Sequence, residues 1–290
     1  MKQGRVLKAY NSFFYVLAPS GLVTCKLRGK FKKRQVICPG DLVAYDLLPD
    51  GTGVIERLLP RASLMRRPAV ANIDQAVLTF AAAQPDLHPL LLSRFLVLAE
   101  WSGISSIVIC INKCDLLGTA ADGFLEAYES LGYPILRVSA HEGNGVSALA
   151  RLLPHHVTVF AGPSGVGKSS LLNAIDPALT LATGHVSEKI KRGRHTTRVA
   201  ELLPYKEGYI VDTPGFSSMT LEGIEAQALP TYFPEMRPYL GQCRFAPCSH
   251  SHEPDCAVKA AVQEKKILPE RYEAYLAILQ EIQARKKDYQ

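Results

Sequence analysis

The run Gly162-Pro163-Ser164-Gly165-Val166-Gly167-Lys168-Ser169 holds the residue types that bind a polyphosphate. Its glycines let successive backbone N–H groups turn inward. Lys168 can then reach the β and γ oxygens, and the Ser169 hydroxyl can ligate Mg²⁺. Ser170 follows and joins the same set of nucleotide-binding residues. A β-like run, Val157–Ala161, leads in and a helical one leads out, so a helix N-terminus also faces the phosphates. The plainer reading is a glycine turn before a helix, which the strand before and the helix after the run make the weaker one.

A phosphate loop does not choose a base. Asn112-Lys113-Cys114-Asp115 does, because it ends the strand expected over Ser106–Ile111. The Asp115 carboxylate can accept from N1–H and the 2-amino group of guanine, whereas adenine would leave a desolvated anion unpaired. Sites of that kind discriminate by roughly 10⁴-fold. Lys113 would lay its stem along the base, and Asn112 would tie this loop to the phosphate loop. Ser139-Ala140, one strand later, would offer a backbone N–H to the guanine O6.

Asp212-Thr213-Pro214-Gly215 supplies the third segment, with Asp212 holding Mg²⁺ through water and the Gly215 N–H sensing the γ-phosphate. Between the two phosphate segments, Gly193-Arg194-His195-Thr196-Thr197 offers a switch threonine, Thr197 in preference to Thr196, to complete the Mg²⁺ shell. Many GTPases place a water-orienting glutamine directly after the D-x-x-G segment. Here that position is Phe216, so intrinsic turnover should be slow and His195 becomes the candidate that orients the water.

Cys243-x4-Cys248-x-His250-x5-Cys256 supplies three thiolates and an imidazole, a complete tetrahedral shell for one structural Zn²⁺, with His252 as the rival to His250. The other cysteines, Cys25, Cys38, Cys110 and Cys114, are scattered and read as reduced thiols.

Three kinds of element must position these groups. Residues 1–66 show short β-like runs (5–8, 13–17, 22–27, 41–46 and 53–58) broken by Pro and Gly turns. A five-stranded oligonucleotide-binding barrel (OB-fold) fits best. Residues 67–222 alternate apolar strands (75–82, 106–111, 135–138, 157–161, 209–211) with helices (89–101, 124–131, 146–153, 168–175), the rhythm of a parallel α/β sheet covered on both faces. Residues 223–290 are loop-like around the cysteines and end in an amphipathic helix from about Pro269, with Tyr272, Tyr275, Leu276, Leu279 and Ile282 on one stripe. The base-reading motifs precede the phosphate motifs, the reverse of the usual order. Relocated chain ends, a circular permutation, allow the same sheet to form. The segment after Gly215 would then pull directly on the zinc module.

Net charge is +6 over 290 residues, but the first forty carry Lys2, Arg5, Lys8, Lys26, Arg28, Lys30, Lys32, Lys33 and Arg34 with no acid before Asp41. That asymmetry favours a polyanion partner, most simply nucleic acid, with the basic Arg28–Arg34 loop on the rim of the barrel. The sequence shows neither a secretory signal nor a stretch near the ~18 apolar residues that cross a bilayer. A cytoplasmic monomer without membrane contact is expected.

Taken in their order, Asn112 to Asp115, Gly162 to Ser169, Gly193 to Thr197, Asp212 to Phe216 and the Cys243, Cys248, His250, Cys256 set resemble the ribosome small subunit-dependent GTPase A family (RsgA, also called YjeQ), over essentially the whole chain. The resemblance implies a late-stage assembly factor whose GTPase is stimulated by the small ribosomal subunit. It also implies rRNA contacts through the barrel and zinc module, and a catalytic role for His195. The alternative is a GTP-dependent switch acting on a protein partner. A vestigial GTPase is disfavoured by the intact Lys168, Ser169 and Asp212, and an ATP-dependent kinase by Asp115.

Overall fold

The structure, a computed structural model, describes residues 1–28, 36–66, 68–116, 122–179, 200–212 and 221–287. Strands β1 (Lys2–Tyr10), β2 (Phe13–Ala18), β3 (Gly21–Leu27), β4 (Leu42–Leu47) and β5 (Gly53–Leu58) close into a barrel. Closure comes from β1, which pairs antiparallel with both β2 and β4, and from a parallel β3–β5 pair. Alternation decides which side faces in. Phe14, Val16, Val23 and Cys25 fill the interior with Val6, Val43, Tyr45 and Ile55. Asn11 and Ser12 both take positive φ, as the two-residue turn of a twisted hairpin requires.

A short hairpin, β6 (Leu64–Arg66) and β7 (Ala69–Ala71), leads into the α/β layer. There follow β8 (Gln75–Ala81), α1 (Pro89–Trp101), β9 (Ser106–Asn112), α2 (Asp122–Ser130), β10 (Ile135–Arg137), α3 (Val146–Leu152), β11 (Val157–Ala161), α4 (Lys168–Ile175), β12 (Glu201–Tyr205) and β13 (Gly208–Asp212). The sheet order is β10-β9-β8-β11-β13-β12, parallel except for β12. From β8 the chain winds outward to β10, then returns to β11 and winds the other way. The switch in direction falls between β8 and β11, where the carboxyl ends of parallel strands open a crevice. The apolar runs of β8 and β11 are buried along their whole length. Leu92, Phe95 and Leu96 of α1 pack one face of the sheet against Leu78, Phe80 and Val159, while Leu149 and Leu171 cover Val77, Cys110 and Phe160 on the other. Full burial of each such side chain contributes about 1.5–3 kcal/mol.

The barrel and the sheet are continuous, because β1 pairs with β12 at Lys8 and Glu201 to give eleven strands in one sheet. After two 3₁₀ turns, Leu229–Tyr232 and Pro234–Tyr239, the C-terminal region forms α5 (Ala257–Gln263) and α6 (Pro269–Lys287). Its core joins Phe233, Met236, Tyr275, Ile278, Leu279 and Ile282 to Val97 and Leu98 of α1. Helix α1 is therefore apolar on two sides and buried between two layers.

Sequence pattern did not reveal β6, β7, β12 or α5. The hairpin strands have three residues each, α5 has seven, and β12 carries Pro204, which breaks a strand reading. Ile278, fully buried, extends the stripe expected on α6.

Candidate nucleotide site and metal centre

Strand β11 delivers the phosphate loop into the crevice. At Gly162 (φ +152°) a Cβ would stand 1.9 Å from the Thr79 carbonyl oxygen of β8, and at Gly167 (φ +92°) one would stand 2.3 Å from Asn112 Nδ2. Only glycine allows both approaches. Pro163, Ser164 and Gly165 form the arch between them, and Val166 is buried beneath it. The Lys168 ammonium folds back into the arch, donating to the carbonyls of Gly162 and Pro163 at 2.7 Å each, and burial pulls its pKa below the ordinary lysine value. Ser169 and Ser170 are exposed on the first turn of α4.

Asn112, 2% exposed at the end of β9, joins three segments. Its Nδ2 donates to the Val166 carbonyl (2.9 Å) and its Oδ1 accepts from the Ala140 amide (3.0 Å). The sequence pattern offered a backbone N–H of Ser139-Ala140, without choosing between the two, to the guanine O6. Here the Ala140 amide is engaged by Asn112, so a base oxygen would have to share it as a second acceptor. Lys113 takes φ +60° and its ammonium donates to the Gln84 carbonyl. The Cys114 thiol donates to the Ile111 carbonyl at 3.1 Å. Asp115 is exposed and accepts the Ser139 hydroxyl at 2.6 Å; that hydrogen bond holds its carboxyl below the usual carboxylate range. Ser139 itself is buried, and its Oγ also accepts from the Glu142 amide at 3.1 Å.

Asp212 closes β13, whose register pairs Val211 with Val159 of β11, so its backbone lies beside the start of the phosphate loop. His195, Thr196, Thr197, Gly215 and Phe216 lie outside the described residues, as do Lys30, Lys32, Lys33 and Arg34.

In the C-terminal region the donor atoms of Cys243, Cys248, His250 and Cys256 lie within 4.8 Å of one another. Cys243 Sγ is 3.8 Å from Cys256 Sγ, and His250 Nδ1 is 3.4 and 3.3 Å from those two sulfurs. A tetrahedral zinc with Zn–S near 2.3 Å and Zn–N near 2.0 Å has edges of about 3.5–3.8 Å, so the donors fit the ion. His252 lies outside the cluster and is exposed. Tyr272 and Tyr275 of α6 brace the loop from beneath, their hydroxyls donating to the carbonyls of His250 (2.8 Å) and Ser249 (2.6 Å).

Residues 3–55 match the family model described as RsgA N-terminal domain, and residues 58–222 match the one described as RsgA GTPase. The chain belongs to the RsgA GTPase family. Among its relatives, "Small ribosomal subunit biogenesis GTPase RsgA" of Moorella thermoacetica is 45% identical over 289 residues, 99% of each chain. The protein of the same name from Bacillus velezensis is 43% identical over 300 residues, 100% of each. Two crystal structures are similar throughout. YloQ, described as a circularly permuted GTPase, has a TM-score of 0.82 at 36% identity, covering 98% of this chain and 96% of its own. YjeQ from Thermotoga maritima has a TM-score of 0.83 at 38% identity, covering 97% and 98%.

As an RsgA GTPase the chain is a GTP-hydrolysing enzyme with a permuted sheet, a closed barrel and one zinc centre. Within it, not every N-terminal cation is available to a partner. Lys8 pairs with Glu201 at 2.6 Å, Arg5 donates to the Gly40 carbonyl and lies over the Tyr209 ring, and Arg28 pairs with Glu56 at 2.6 Å. Sequence reasoning also missed the bracing hydroxyls of Tyr272 and Tyr275, which it counted as apolar stripe. It missed Gln84 as the partner of Lys113. Nothing in the local pattern pointed to either.

Proposed function

We propose that this GTPase works in the late assembly of the small ribosomal subunit, hydrolysing GTP while bound to that subunit and its rRNA. The observation that carries the reading is full-length correspondence, through barrel, permuted sheet and zinc centre, to relatives named as small ribosomal subunit biogenesis GTPases. Three units divide the work: 1–66 and 223–290 hold RNA, and 67–222 turns over nucleotide. The protein acts as a cytoplasmic monomer; no helix among the described residues is long and apolar enough to cross a membrane.

In the nucleotide site Asp115 reads the guanine N1–H and 2-amino group, Lys113 supports the base, and Ala140 approaches O6. The amides from Gly162 to Ser170 and the Lys168 ammonium hold the β- and γ-phosphates. Ser169, Thr197 and Asp212 would hold the Mg²⁺, which would supply positive charge beside the phosphates. Water attacks the γ-phosphorus, the bond to the β–γ bridging oxygen breaks, and GDP and phosphate leave. With Phe216 unable to hydrogen-bond that water, His195 orients it and Gly215 senses the γ-phosphate. Comparing GTPase rates of wild type and His195→Ala, with and without purified small subunits, tests this. Stimulation of the wild type and its loss in the variant are expected. Stimulation by a protein partner in place of the subunit would favour a protein-directed switch.

A further inference from the structure

We infer that the outer face of β1–β3 binds unpaired RNA by stacking nucleobases on Tyr10, Phe13 and Tyr15. This rests on the ribosomal reading above and names the form of RNA that the barrel takes.

The face follows from register. Tyr10 lies opposite Phe13, and Phe13 opposite Lys26, forming one row across three strands; Lys8, Tyr15 and Thr24 form the next. Their strand neighbours Phe14, Val16, Val23 and Cys25 fill the barrel, so these rows point outward. Three aromatics on one outer face are more than solvation asks for. Tyr10 is 54% exposed, Phe13 36% and Leu22, diagonal to Tyr15, 59%. Leu7, Lys8, Tyr10, Tyr15, Leu22 and Glu201 line a groove of about 440 Å³ where the face meets β12.

Charge selects the occupant. Lys26 lies 5.0 Å over the Phe13 ring, ready to follow a backbone past a stacked base. Glu201, the acid in the groove, is paired with Lys8. The first forty residues hold nine cations and no acid, and although Lys8 and Arg28 are paired with Glu201 and Glu56, the excess stays positive. An apolar protein segment would suit the rings but not that charge. A duplex would suit the charge but hides the faces of its bases. Unpaired RNA offers both phosphates and open π-faces, as oligonucleotide-binding barrels use on this side.

Fluorescence anisotropy with the zinc-loaded full chain tests the inference, using oligouridine of about 12 nucleotides and an RNA duplex of equal length. Oligouridine should bind at least about 10-fold tighter. Tyr10→Leu and Phe13→Leu, which keep apolar character, should each weaken oligouridine at least about 5-fold. Tyr10→Phe should bind as wild type, and basal GTPase should not change in any variant. Equal binding of the two RNAs, or leucine variants that bind oligouridine as wild type, would overturn the inference. So would leucine variants that lose a ribosomal protein but keep RNA. If small subunits still stimulate GTPase in that event, the ribosomal reading survives; if wild type is not stimulated at all, that reading fails instead.

Discussion

Arg271 Nε donates to Glu235 Oε1 at 2.6 Å, and the two side chains are 1% and 2% exposed. The guanidinium also donates to Ser93 Oγ of α1 at 3.0 Å and stands 4.6 Å over the Phe233 ring and 5.5 Å over that of Tyr128 in α2. One buried charge thus clasps the C-terminal region to two helices of the nucleotide domain.

Breaking that pair by halves should be costly. Arg271→Met leaves the Glu235 carboxylate buried without its partner, and a loss of about 3–5 kcal/mol is expected. Replacing both residues, Arg271→Met with Glu235→Leu, should recover much of it, because no uncompensated charge remains. Denaturant midpoints of the two variants check the order. A double variant as unstable as the single would place the effect in packing on Phe233 instead.

Asn112 predicts a different pattern. Asn112→Ala orphans the Val166 carbonyl and the Ala140 amide together, each unsatisfied group costing about 1–3 kcal/mol. Because both the phosphate loop and the base loop lose their tie, affinity for GDP and GTP should fall in parallel, by 10-fold or more. Asp115→Ala leaves both of those ties in place, so its loss should be guanine-specific and ATP should compete. Calorimetry with the three nucleotides separates the two variants.

Much of this was legible because it is local. The phosphate loop shows itself through glycines that backbone geometry demands, as Thr79 and Asn112 make concrete at Gly162 and Gly167. The metal centre shows itself because all four ligands fall within fourteen residues, from Cys243 to Cys256. Strands β8 and β11 were visible as unbroken apolar runs. What stayed hidden is relational. Arg271 and Glu235 stand 36 residues apart on elements that pattern alone does not bring together. The outward aromatics of the barrel read as ordinary strand residues until register put them on one face. The engagement of the Ala140 amide by Asn112 needs the fold as well.

Acid should weaken guanine binding late. The Ser139 hydroxyl lowers the Asp115 pKa, so the carboxylate stays ionised below the usual value near 3.9. Its hydrogen bonds to the base are present above that depressed value and are lost as pH falls through it. Ser139→Ala removes the donor, returns Asp115 toward the ordinary value and should shift the midpoint of GDP affinity upward in pH. Titrating GDP affinity of both proteins from pH 7 down to about 2.5, past the ordinary carboxylate value, checks the sign. Coincident curves would remove Ser139 from any role in ionising Asp115.

Nucleotide state should reach the zinc centre along the chain. Eight residues separate Asp212, at the end of β13, from Leu221. Leu221 and Ile224 are buried in the same core as Phe233, Tyr275 and Cys256. A chain of that length spans at most about 3.5 Å per residue, which bounds how far the γ-phosphate side can move before it loads Leu221. The Tyr272 and Tyr275 hydroxyls hold the loop that carries His250, which extends the path to the ligands. Hydrogen exchange over residues 240–260 should therefore differ between GDP and a GTP analogue, and zinc chelation should raise exchange there in both states and erase the difference. Identical exchange in the two nucleotide states, with zinc bound, would show that the permuted connection carries no signal.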